Sequence, residues 1–168
     1  MSAEATGGDG QAPSIEARLR RLEDRERIQH LLHDYCRALD LMDLEIIESL
    51  FTVDCVVSYG PAERMESHGA HAVAAALRRL WRWSRTSHHL SNIQIDFETD
   101  DRVQAVSYVI AWHERPNGST GTLWGQYHDV IVRTRLGWRI ARRRQVMNGN
   151  DAGFDVAIHK LERRLPPA

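Results

Sequence analysis

The chain predicts an α+β fold with an antiparallel sheet. Two observations carry that expectation. Apolar residues recur at three- and four-residue steps through the first half and at two-residue steps through the second. Helical segments are therefore grouped early and strands late, without the alternation that builds βαβ units.

Ser14 is a cap candidate ahead of a long amphipathic pattern. Leu19, Leu22, Ile28, Leu31, Leu32, Tyr35, Cys36 and Leu39 mark its apolar face, and Arg, Glu and Asp fill the other. A shorter helix is expected over residues 44–51, a strand over 53–59 and a partner strand over 64–67. Residues 69–83 return to helical composition with Ala74, Ala75, Ala76, Leu77 and Leu80. At Ile93, Ile95 and Phe97 the period changes to two. Thr99-Asp100-Asp101 is a turn, 103–114 the next strand and Pro116-Asn117-Gly118 a second turn. Strands over 120–134 and 138–147 follow, joined near Leu136-Gly137, and a terminal helix is expected over 156–164. Long strands of mixed polarity beside helices can curl round a pocket.

With 168 residues the chain fits one domain, and chains of about 150 residues hide roughly two-thirds of their unfolded surface. Residues 1–13, rich in Gly and Ala without the apolar core of a signal peptide, read as a disordered tail. The domain is expected over 14–150, with a C-terminal extension over 151–168. Hydrophobic residues at 42% and charged residues at 27% describe a globular protein. A net charge of −1 gives no electrostatic case for nucleic acid or an anionic membrane as partner. The runs Arg142-Arg143-Arg144 and Arg163-Arg164 fit a solvated face. Cys36 and Cys55 are too few for a disulfide framework, which suits the cytoplasm. No apolar run approaches the ~18 residues of a membrane span. His30/His33, His68/His71 and His88/His89 lack zinc spacing, and P-loop, GxGxxG and GxSxG motifs are missing, so neither metal nor cofactor is expected.

Five short stretches, in order, carry a resemblance. Leu32-His33-Asp34-Tyr35-Cys36-Arg37-Ala38-Leu39-Asp40 is similar to the first-helix signature of SnoaL-like proteins, and Leu50-Phe51-Thr52-Val53-Asp54 to the segment after it. Ser87-His88-His89-Leu90-Ser91-Asn92 resembles the family's histidine strand. Gly125-Gln126-Tyr127-His128-Asp129 and Gly137-Trp138-Arg139-Ile140 resemble its last two strands. The resemblance, to SnoaL-like and scytalone-dehydratase-like proteins, covers roughly residues 15–150. It implies a nuclear transport factor 2-like (cystatin-like) cone, a barrel of curved antiparallel sheet wrapped on N-terminal helices around one pocket. It also implies a homodimer or higher homo-oligomer, commonly formed through the sheet's outer face. The family is functionally mixed, from polyketide cyclases, scytalone dehydratase, bile-acid 7α-dehydratase, a hexachlorocyclohexane dehydrochlorinase and steroid isomerases to non-catalytic dioxygenase small subunits. Fold alone does not choose among these.

From spacing alone, Asp40 is either a helix-end aspartate or a carboxylate at the pocket mouth. The resemblance implies that it orients a catalytic histidine. Tyr35 stands where the bile-acid branch has a functional tyrosine and the dehydrochlorinase a lysine; it reads equally as core. One of His88 and His89 is the expected base. Strand parity sets His89 on the face of Ile93, Ile95 and Phe97 if no bulge intervenes, and the weight falls there, although some branches of the family select His88. Arg143, five residues after Trp138 as in the dehydrochlorinase, is the candidate cation, with Arg142 and Arg144 on the opposite face. His113 matches a second pocket carboxylate of the bile-acid branch. Together with Tyr59, Trp112, Tyr127 and Met147 it forms the expected substrate wall, and these four also fit a core.

A carboxylate bonded to one ring nitrogen fixes the histidine tautomer and raises the basicity of the other nitrogen. Such acid–base catalysis contributes about 10²–10⁴-fold in rate, and a Tyr or Arg can stabilise the developing negative charge. The resulting expectation is a cofactor-independent lyase (dehydratase) or isomerase. Its substrate is a small apolar hydroxylated or carbonyl metabolite: steroid, polyketide, or aromatic or terpenoid compound. Two alternatives stay open: a non-catalytic ligand-binding or accessory protein, and a polyketide cyclase or hydroxylase-like tailoring enzyme.

Overall fold

Ser14 starts the first helix as predicted, its side chain accepting the Ala17 N–H at 3.2 Å. This helix, α1, runs Ile15–Leu41 and stops at Met42, whose left-handed backbone turns its N–H onto the Ala38 and Leu39 carbonyls. Asp43 caps α2 (Leu44–Ser49) through the Ile46 N–H. Phe51 opens a strand, β1 (Phe51–Ser58), instead of closing that helix. A 3₁₀ turn (Glu63–Met65), β2 (Glu66–His68) and α3 (Ala70–Leu77) follow, and a second 3₁₀ turn (Arg78–Arg82) extends α3. Four long strands complete the fold: β3 (Arg85–Thr99), β4 (Arg102–Glu114), β5 (Thr120–Thr134) and β6 (Gly137–Asn150). The computed structural model describes residues 13–151. The terminal helix expected over 156–164, and all but the last residue of the expected tail, lie outside the described residues.

The six strands form one curved sheet in the order β2-β1-β6-β5-β4-β3. Every neighbouring pair is antiparallel except β1 and β6, which run parallel. The fold is the expected α+β arrangement of a curved sheet on N-terminal helices, with the sheet open and mixed rather than wholly antiparallel. Turn signals mark hairpins between consecutive strands, but the β1–β6 pairing joins segments far apart in the chain and leaves no local mark.

On β4 the alternation is regular: Val103, Ala105, Ser107, Val109, Ala111 and His113 are all buried. α1 lies against the inner side of the sheet, chiefly along β3 and also at β6, and buries Ile28, Leu32, Tyr35 and Leu39, each at most 2% exposed. A fully buried side chain of this kind contributes about 1.5–3 kcal/mol. The apolar stripe is shorter than its pattern suggests, because Ile15, Leu19 and Leu22 are 77%, 56% and 64% exposed. The outer face of the sheet presents Tyr108, Ile110 and Trp124 to solvent. Among the described residues no helix is long and apolar enough to cross a membrane.

Candidate active site

The last turn of α1 brings Asp40 to the start of β3. Its Oδ1 accepts from Thr86 Oγ1 at 2.9 Å and lies 2.7 Å from His88 Nδ1, while its Oδ2 accepts the His88 backbone N–H at 3.0 Å. Burial works to raise this carboxyl's pKa, but the bonds from the His88 ring and backbone, the ring's charge and Thr86 outweigh it and hold the pKa below its ordinary value. An ionised carboxylate only accepts, so Nδ1 of His88 carries a proton, and whenever the ring is neutral its lone pair is on Nε2. The His88 side chain is 5% exposed and its ring meets the His113 ring edge-on, centroids 5.3 Å apart.

Strand parity points to His89, yet the ring on Asp40 is that of His88. The reason is a bulge. Ser91 pairs with Tyr108 and Gln94 with Val106, so β3 carries one extra residue there, and Asn92 takes a positive φ of 50°. Even-numbered residues face inward before the bulge and odd-numbered ones after it. His89 is exposed, and its Nε2 lies 2.8 Å from Ser87 Oγ.

His88 borders a cavity of ≈ 100 Å³ between α1, the Arg78–Arg82 turn and strands β4–β6. Leu39, Leu77, Leu80, Ala111, Leu123 and Met147 form its apolar wall. Within it the hydroxyls of Tyr35 and Tyr59 stand 2.7 Å apart, both rings fully or nearly fully buried. Burial raises both phenols above their ordinary pKa, Tyr59 well above, so both keep their protons. Two hydroxyls share one hydrogen between them, which leaves the pair a second to donate. His113 gives its Nδ1–H to the Ala111 carbonyl at 3.1 Å. Burial, then the charge of His88, pushes its pKa down to about 4, which makes it a neutral imidazole at physiological pH.

Of the other predicted residues, Tyr127 and Met147 line the cavity together with Tyr59 and His113. Trp112 does not. It follows an inward residue on β4 and so lies on the sheet's outer side, under the Arg85 guanidinium. Arg143 faces inward as its spacing implies, and Arg142 and Arg144 face solvent. It stands one layer behind the cavity wall, however. Asp129, directly opposite it on β5, holds it through two bonds of 2.7 Å, and its Cζ lies 4.1 and 4.2 Å from the Tyr35 and Tyr127 ring centroids. The burial of its charge is offset by Asp129 and by the faces of two tyrosines.

Sequence reasoning passes over Thr86, Gln145 on the cavity wall, and Asp129. It also misses Asp24, which is 3% exposed on the buried stripe of α1. A polar residue four positions before Ile28 on that stripe is a readable signal for a buried polar contact. Among the described residues no three His, Cys, Asp or Glu side chains converge as a metal-binding cluster.

The SnoaL-like domain family matches residues 20–144. A solved protein of Novosphingobium aromaticivorans, named for scytalone dehydratase, superimposes with a TM-score of 0.81 at 29% identity, over 88% of this chain and 99% of its own. An NTF2-like protein with a cystatin-like fold from the same organism gives 0.69 at 28% identity, over 84% and 92%. A hexachlorocyclohexane dehydrochlorinase (LinA type 2) gives 0.73 at 20% identity over 83% and 97%, a likeness of fold. An uncharacterised protein of Mycobacterium tuberculosis is 28% identical over 125 residues, 73% of this chain and 84% of its own length.

Proposed function

This chain belongs to the SnoaL-like domain family, and on that premise we propose that it is a lyase of the dehydratase type, working through His88 and Asp40 on a small, largely apolar β-hydroxy carbonyl compound. The observation that carries the reading is the 2.7 Å contact of His88 Nδ1 with Asp40, on the wall of a cavity that also holds the Tyr35–Tyr59 hydroxyl pair. The relative named for scytalone dehydratase supports the same direction.

The substrate carbonyl oxygen accepts a hydrogen bond from the tyrosine pair, which favours charge on that oxygen as it develops. His88 Nε2 takes the proton from the carbon beside the carbonyl, and the C–H electrons form the enolate. Re-forming the carbonyl expels the β-hydroxyl, which leaves with the proton His88 has just accepted. The products are an unsaturated carbonyl compound and one water, and the imidazole returns to its starting state. Asp40 keeps its charge throughout and stabilises the imidazolium between the two transfers. Arg143 acts behind Tyr35 as a positioning residue, fixing its ring from the rear. A substrate without a leaving group stops at the enolate and is isomerised or reprotonated by the same groups.

The test is to incubate the purified protein in deuterium oxide with a panel of β-hydroxy ketones, acids and thioesters, following the carbon-bound proton by NMR and water loss by mass spectrometry. Deuterium entry that disappears in Asp40→Asn and His88→Gln is the expected result. Ligand binding without exchange in any compound contradicts the reading and leaves a binding protein on the same fold.

A further inference from the structure

The cavity wall holds two arginines and no carboxylate. Arg79 and Arg82, both from the 3₁₀ turn after α3, line it beside Leu80 and Trp83. Arg79 is half-buried, donates from Nη1 to the Ala76 carbonyl at 3.1 Å and lies over the Tyr59 ring, Cζ to centroid 5.3 Å. Arg82 is exposed, with its Cζ 5.1 Å from the Trp83 ring centroid. Arg21, Arg27, Arg85, Arg102, Arg133 and Arg143 each sit on an Asp or Glu. Among the described residues neither Arg79 nor Arg82 has such a partner. Each is braced through an aromatic ring and, for Arg79, one backbone oxygen, which leaves donors of both guanidinium forks uncommitted.

We propose that Arg79 and Arg82 bind the carboxylate of the substrate, and that the compound processed here is a compact hydroxy or oxo acid rather than a neutral apolar molecule. A planar guanidinium matches a carboxylate through two parallel hydrogen bonds, and a half-buried site strengthens that pairing relative to water. The same turn carries Leu80 and is followed by Trp83, so the anion is held at one end of the cavity while the apolar body reaches inward. The space limits that body. A dry cavity of about 150 Å³ takes one benzene ring, and this one measures ≈ 100 Å³. A short branched chain therefore fits as the wall stands, a six-membered ring has to push the wall back, and a four-ring body does not enter. Arg79 also spans the two ends of the site, because the ring beneath it belongs to the tyrosine that donates to the reacting carbonyl. The inference rests on the lyase reading for where the reacting carbon lies, but the anion site is measurable without turnover.

Binding by calorimetry, in wild type and in Asp40→Asn, tests it with short branched-chain acids such as isovalerate, each beside its neutral amide. The acid is expected to bind at least about tenfold tighter than the amide, roughly the 1.4 kcal/mol of one charge-assisted contact, and to weaken with added salt. Arg82→Gln is expected to reduce the preference and Arg79→Gln with Arg82→Gln to abolish it. Arg78→Gln, a neighbouring exposed arginine outside the wall, keeps it. Equal affinity for acid and amide, a preference that survives the double substitution in folded protein, or no saturable binding of any acid at millimolar concentration overturns the proposal. Should the double variant fail to fold, the acid-to-amide ratio in Arg82→Gln decides. Anion preference without deuterium exchange sinks the lyase reading alone, and turnover of neutral compounds with no such preference sinks this one alone.

Discussion

Asp24 and Asp40 stand sixteen residues apart on one helix and are held by different kinds of partner. Asp24 takes two bonds from Arg133, at 3.1 and 2.6 Å, and a third from the Trp138 indole at 3.1 Å. Its side chain is 4% exposed, and its partners carry a fixed charge or a fixed proton. Asp40 is 27% exposed and faces an imidazole, a ring that can take up a proton and give it back. In both, burial works to raise the carboxyl pKa, and hydrogen bonds with nearby positive charge bring it below the ordinary value. The carboxylates are thus similar and the difference lies in what they hold. A permanent cation turns a buried carboxylate into a clamp between α1 and the strand ends, whereas a titratable ring turns it into a device for storing a proton.

Substitutions on the two carboxylates separate these roles. Asp40→Asn and His88→Gln are expected to lower kcat/KM by about 10²–10⁴-fold, with only a small change in melting temperature, read by steady-state kinetics on a compound that exchanges deuterium. Asp24→Asn is expected to do the reverse. It weakens the bonds that the buried carboxylate takes from Arg133 and Trp138, while Arg133, part-exposed, keeps Asp101, and it costs about 1–3 kcal/mol in urea unfolding, while kcat/KM per folded molecule hardly moves. Tyr59→Phe, with its stacking kept and its hydroxyl gone, is expected to lower kcat by about 10²-fold.

Acid exposes a further contrast. The lowered Asp24 carboxyl supplies stability that is full above its ordinary pKa near 3.8 and is lost as the pH falls through its depressed value. His113, pushed down from 6.5 to about 4, is neutral in the fold while the unfolded chain gains a proton. Stability therefore falls as the pH drops from 6.5 to 4, by up to about 3 kcal/mol. Urea midpoints across that window are expected to move less in His113→Gln than in wild type. The smallest effect belongs to His89→Ala, within about 0.5 kcal/mol in stability and without a change in rate, since its ring faces away from Asp40.

Local periodicity makes most of this fold legible. The alternation of β4 and the turns at Thr99–Asp101 and Pro116–Gly118 are nearest-neighbour features, and the hairpins follow from them. Longer-range facts escape it. The parallel seat of β1 on β6 needs a register between segments some ninety residues apart. The residue on β5 that neutralises Arg143 is equally hidden, because spacing says which way the arginine points and not what stands opposite. The histidine assignment turns on a single inserted residue at the Asn92 bulge, which reverses every side chain beyond it. Trp112 is a different case. It adjoins His113 on one strand, so the period that identifies the strand already excludes one of them from the cavity.

The most direct measurement on the dyad is the nitrogen-15 spectrum of the His88 ring at neutral pH in wild type, Asp40→Asn and Asp24→Asn. In wild type and Asp24→Asn the expected neutral form is a single tautomer, with the proton on Nδ1 and the lone pair on Nε2, and Asp40→Asn is expected to abolish that preference. A ring protonated on Nε2, or one that averages freely between tautomers in wild type, would contradict the assignment of His88 as a base oriented by Asp40.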